Sequence, residues 1–139
     1  MAIIQALCSS YKKELLWGIH HVADEYKIAL FTRDALLNAA TERYNPKDEV
    51  EGEGYTAGGK FLNGIVIDLA GTTAWIDWTL DPSWDYATIT ARGALIYNAT
   101  QDNRAVAVLD FGADKSSTNG TFTAVLPIAG PLTSIIRLT

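Results

Sequence analysis

The sequence predicts a mainly β fold with a short helical N-terminal region, built as an antiparallel β-sandwich or a jelly-roll-like barrel. Three observations lead there. Ala87 to Gly112 holds two alternating runs around a polar loop, a second pair of β-prone runs flanks Ala70, Gly71 and Thr72, and the first forty residues follow a four-residue apolar period instead. Alternation marks half-buried strands and the longer period marks an amphipathic helix.

The elements follow in order. Ser9 or Ser10 is a candidate N-cap, and Leu7, Tyr11, Leu15 and Ile19 recur every four residues, predicting a helix from about Ser10 to Ile19 with Gly18 loosening its end. Tyr26 to Thr32 is a short apolar run and reads as a strand, after which Thr32 caps a second short helix over Arg33 to Ala40. Thr41 to Gly59 is polar, with five acids against two bases between Glu42 and Glu53, and reads as a long solvated surface loop. Ile65–Leu69 and Ala74–Trp78 form a hairpin, and Asp81-Pro82 breaks the run. Ala87–Tyr97 and Ala105–Phe111 form a second hairpin across the polar turn at Asn98 to Asn103. A turn is expected from Asp114 to Asn119, then strands at Thr121–Leu126 and Ser134–Leu138, the last tied into the sheet or against a neighbouring subunit. Residues 1–139 form a single domain, with a helix/strand/helix part over 1–40 packed on a β core over 60–139.

Composition narrows the function. The chain is 48% hydrophobic and only 19% charged, against about 25% charged in an ordinary soluble domain, so some apolar surface is available for an interface. A net charge of -5 with 11 scattered basic residues excludes the clustered cations that nucleic acid requires. No apolar run approaches the ~20 residues of a membrane-spanning helix, and the start lacks the basic region of a signal peptide. Cys8 is the single cysteine, which excludes an intrachain disulfide and a cysteine-rich zinc site. Asn98 and Asn119 each open an Asn-x-Thr sequon, relevant only to a secreted chain.

Residues suited to chemistry are few. His20 and His21 are adjacent, so on a helix they point about 100° apart and do not converge on one metal; they read as helix-end residues. Asp77, Asp81 and Asp85 lie among Trp75, Trp78 and Trp84, the composition of a glycosidase cleft, of a carbohydrate-stacking platform, or of turn residues beside core aromatics. The acidic loop lacks calcium-loop spacing, and its glycines precede no phosphate-binding Lys-Ser/Thr. No nucleophile stands beside a base, so no catalytic residue, metal site or cofactor is expected. The apolar start Ala2, Ile3 and Ile4 is either a core strand or an arm that docks on a partner. Ile3, Ile4, Trp75, Trp78 and Trp84 are therefore the candidate interface residues.

SSYKKELLWGIH, YKIALFT, GYTAGGKFLNG, TITARGALIYN, RAVAVLDFG, STNGTFT and SIIRL span nearly the whole chain in order. Together they resemble a widespread family of small virion proteins of tailed bacteriophages and prophages. The resemblance implies a noncatalytic structural protein of the virion, above all a capsid cement or decoration protein assembled in the bacterial cytoplasm. The partners implied are the major capsid protein and further copies of the chain, most simply a homodimer, with neither nucleic acid nor membrane. A tail or neck component, and a carbohydrate-binding module contacting a receptor, are the alternatives.

Overall fold

The computed structural model describes residues 2–130 and 132–139. It is mainly β, with one short helix and two antiparallel sheets. In chain order the elements are β1 (Ala6–Leu7), α1 (Ser9–Leu16), β2 (Tyr26–Phe31), β3 (Lys60–Phe61), β4 (Asn63–Ala70), β5 (Thr73–Leu80), β6 (Ser83–Asn98), β7 (Arg104–Thr123) and β8 (Ile136–Leu138). One sheet runs β1-β7-β6-β2-β3 and the other β4-β5-β8. Both sheets keep open edges, so the sandwich form holds and the barrel form does not. Among the described residues no helix is long and apolar enough to cross a membrane.

The β6–β7 hairpin is the spine of the larger sheet. Asp102 and Asn103 take positive φ angles of 58° and 56° in its turn, a conformation that Asn and Asp tolerate well. Alternation carries Ala87, Ile89 and Ala91 inward, and beyond Gly93 both faces of β6 are covered. The turn expected at Asp114 to Asn119 lies within β7. The first half of β6 runs alongside that stretch, pairing Ala91 with Lys115, Ile89 with Ser117 and Ala87 with Gly120. Asn119, at φ 46°, is absorbed in an irregular register instead of reversing the chain, because a bulge also accommodates a left-handed residue.

The helical N-terminal part is smaller than expected. α1 is capped at Cys8 with no side-chain hydrogen bond, since tertiary carbonyls supply the partners: the N–H of Cys8 reaches Val106 O and that of Ser9 reaches Ala39 O. At the other end Gly18 N–H bonds Leu15 O and Ile19 N–H bonds Glu14 O, with Gly18 at φ 72°. This paired closure stops the helix before Ile19. The second helix, over Arg33 to Ala40, does not form. Leu37 spends its backbone groups on the N-terminal arm, donating to Ala2 O and accepting from Ile4 N–H, which leaves neither for a helical ladder.

The larger sheet is buried on both faces beyond Gly93: Ile28, Leu30 and Ile96 share the face that carries Tyr26, Leu95 and its partner Val108 lie on the other, and Trp78 and Ile136 are buried on the smaller sheet. Tyr26 and Trp78 bridge the layers with ring centroids 5.5 Å apart.

The polar stretch from Thr41 to Gly59 is not simply a solvated loop. Val50 is buried and its N–H bonds Leu30 O beside β2. Glu49 is also buried, accepting from the phenols of Tyr44 and Tyr55 at 2.5 Å each and from Gly58 N–H at 2.8 Å. Gly59 has φ 78°, and a Cβ there would stand 1.8 Å from Ile28 O. Only glycine lets the backbone come so close to β2.

Candidate functional site

The histidines expected at a helix end differ sharply in setting. His21 is exposed, whereas the His20 side chain is 1% exposed and belongs to a buried polar network. Its Nε2 donates to Glu14 Oε1 at 2.9 Å, and its Nδ1 accepts from Asn98 Nδ2 at 3.0 Å. Glu14 Oε2 accepts from Arg104 Nη1 at 2.8 Å, and Asn98 Nδ2 also donates to Asp24 Oδ2 at 2.9 Å. Burial alone would raise the Glu14 carboxyl, but hydrogen bonds from His20 and Arg104 outweigh it and hold the group below its ordinary range. Asp24 behaves alike: burial opposes ionisation, and bonds from Asn98, the His21 N–H and Gln101 overcome it. The network joins α1 to both ends of the β6–β7 turn. Each member is hydrogen-bonded to another, and the network fastens α1 to the hairpin.

Cys8 is wholly buried, and its thiol is pushed up to about 12 by burial and then by the nearby Glu14 charge. That keeps it protonated and unreactive.

The three acids of the Trp-rich stretch do not converge. Asp77 is buried; its Oδ1 accepts from Trp78 N–H at 2.8 Å, its Oδ2 has no partner of good geometry among the described residues, and burial raises its carboxyl above the ordinary range against the opposing pull of Trp78 N–H, the Ser134 hydroxyl and Ile135 N–H. Asp81 accepts from Leu126 N–H at 2.9 Å and Asp85 from the Thr121 hydroxyl at 3.1 Å. Each pins a different piece of backbone or strand. Among the described residues no three His, Cys, Asp or Glu side chains group as metal ligands do.

The candidate interface residues divide. Trp78 and Trp84 are each 2% exposed; Trp84 sits between Tyr55 and Phe122, with centroids 5.8 and 6.2 Å away. Ile3 is buried too, resting on Gly93, where a Cβ would stand 2.9 Å from Ile3 Cγ2. These three are core residues, and the expectation that they anchor a partner is corrected accordingly. Ile4 is exposed, and Trp75 is half-buried with no partner for its Nε1 among the described residues, so these two of the five keep surface to offer.

The surface apolar groups lie elsewhere. Val125, Ile128 and Leu132 are each at least 80% exposed in the segment joining β7 to β8. Ile67, Leu69, Leu80 and Leu138 are exposed on the smaller sheet; Leu16 at the end of α1 and Trp17 and Val22 after it are also exposed. Lys13 stands 4.9 Å from the centre of the Trp17 ring. The sequence marks Ile65–Leu69 as a hairpin strand, and strand patterning does not say what covers its faces. Such surface suits burial against other proteins. Comparison of the chain with family models, curated proteins and solved structures finds no match in any of the three.

Proposed function

We propose that the chain is a noncatalytic structural protein of a tailed-phage virion, and specifically a cement protein that sits on the shell and joins neighbouring major capsid subunits. The observation that carries the reading is the concentration of large exposed apolar side chains at the margins of a rigid β scaffold. A stable joint between subunits removes about 1,600 Å² of surface and relies on apolar and aromatic anchors. Val125, Ile128 and Leu132 stand out from the body of the sandwich and supply such anchors. The long β6–β7 hairpin supplies stiffness, since 12 registered pairs tie its strands together.

The family resemblance, which follows the chain almost end to end, supports the same role, and self-association in many copies belongs to it. Burial of Trp78 and Trp84 weakens the carbohydrate-stacking alternative, because a stacking platform presents its ring faces to solvent. The test is to strip the protein from purified particles, add it back, and follow heat-induced rupture. Restored resistance in the wild type and its loss in Val125→Asp with Ile128→Asp support the role. Identical rupture with and without the protein rejects it.

A further inference from the structure

The buried ring of His20 stands between two partners that ask opposite things of it. Nε2 meets the Glu14 carboxylate at 2.9 Å, and Nδ1 meets the side-chain amide of Asn98 at 3.0 Å. Other contacts already fix the orientation of that amide. Asn98 Oδ1 accepts from Thr100 N–H at 3.1 Å and from Gln101 N–H at 3.2 Å, and its Nδ2 donates to Asp24 Oδ2 at 2.9 Å. Turning the amide over would set N–H against N–H and oxygen against carboxylate. Nδ1 therefore faces a donor, so the neutral ring carries its one proton on Nε2.

We propose that His20 is a proton-operated latch between α1 and the β6–β7 turn, closed while the imidazole is neutral and opened when Nδ1 takes up a proton. The added N–H points at the Asn98 donor, and the bond between them is lost. Asn98 is not free to turn and accept it, because Asp24 and the amides of Thr100 and Gln101 hold it in place. If the imidazolium draws Asp24 Oδ2 to itself instead, Asn98 loses that partner as well. The same proton strengthens the contact with Glu14, since a charge-assisted bond is the stronger kind. His20 thus gives up its bridge to the turn and tightens its hold on the helix. The opening is local, because Arg104 still ties Glu14 to β7.

The surroundings leave the switching to the imidazole. From α1 it is faced by Glu14 and by the Tyr11 ring, 4.6 Å away between centroids. Arg104 of β7 stands behind Glu14, and Asp24 and the Tyr26 phenol lie toward β2. Burial pushes both phenols up, as it does the Cys8 thiol near Glu14, so all three keep their protons. Glu14 and Asp24 are held below 4.5 and 3.8 and stay ionised through the range of about pH 5 to 8 in which histidines ordinarily change charge. Exposed His21 contributes its backbone, donating to Asp24 and accepting from Tyr26.

Imidazole nitrogen NMR on the wild-type protein reads the proton directly. At about pH 8 it is expected on Nε2 of His20 alone, and a proton on Nδ1 at that pH overturns the inference. Amide hydrogen exchange reads the latch. Corrected for its intrinsic pH dependence and referred to the buried amide of Leu95, exchange at Thr100 and Gln101 is expected to quicken about tenfold from about pH 8 to about pH 5, as the loss of one hydrogen bond allows. His20→Gln keeps a donor for Glu14 and an acceptor for Asn98 but takes up no proton. With His21 still present, exchange at both amides in this variant is expected to stay level. An acceleration that survives His20→Gln overturns the inference. So does a wild type whose imidazole gains its second proton without any acceleration, or stays neutral down to about pH 5. Should the variant fail to fold, the two wild-type readings still decide.

Discussion

His20 and Glu14 are joined by a 2.9 Å hydrogen bond inside the protein, and through it the one helix is locked to the turn of the long hairpin. Glu14 holds Arg104 with its other oxygen, and Arg104 opens β7. Asn98, which closes β6, meets the second nitrogen of the same imidazole. Removing Glu14 strands both basic partners. Glu14→Ala is expected to cost about 3 kcal/mol, the lower end for a broken buried pair because Arg104 keeps some solvent. Urea denaturation measures this, and Glu14→Gln is expected to cost less because it retains hydrogen bonding.

Stability depends on pH in two opposing ways. Glu14 and Asp24 are held below their ordinary values of 4.5 and 3.8. Their contribution is complete above those values and is lost as pH falls through the depressed folded ones. Asp77 is raised above 3.8, so its contribution is present below 3.8 and is lost as pH rises through the raised folded value. Denaturation midpoints across pH 2 to 8 are expected to fall steeply at the acid end. Asp24→Asn flattens that fall, and Asp77→Asn removes the loss on the rising side.

Trp84 packs between Tyr55 and Phe122 and links the Thr41–Gly59 segment to the far end of the hairpin. Trp84→Ala is expected to cost about 3–5 kcal/mol, as large aromatic deletions in cores do. Trp75→Ala, at a half-buried site, is expected to cost clearly less in the same denaturation assay. Equal costs would contradict the different burial of the two rings.

The N-terminal arm is seated on Gly93. A Cβ at that position would meet Leu109 O at 2.5 Å and Ile3 Cγ2 at 2.9 Å. Gly93→Ala is expected to lower stability by about 1–3 kcal/mol through overpacking. It is also expected to speed amide exchange at Ala6 and Leu7, which pair with Val108 and Ala107. Unchanged exchange there would mean that the arm holds without Ile3.

Both hairpins were legible because local alternation and turn residues agree with the tertiary structure at Gly71 and at Asn98 to Asn103. Errors arose where distant groups decide. Thr32 offers a cap for a helix over Arg33 to Ala40, but the amide and carbonyl of Leu37 are taken by Ala2 and Ile4. Asn119-Gly120 has turn chemistry, yet β6 runs past it and makes an irregular ladder. His20 offered no local sign of its network, because its partners lie 6 and 78 positions away along the chain. The Trp-rich stretch was ambiguous for a different reason: hydrophobic patterning distinguishes buried from exposed faces, and it does not distinguish a core from an interface.

Quantifying the chain in purified particles and locating its density tests the virion reading most directly. The cement role predicts copies in fixed proportion to the major capsid subunit, with density on the outer shell across the joints between subunits. A few copies confined to the tail or neck, or no copies in the particle, would contradict it.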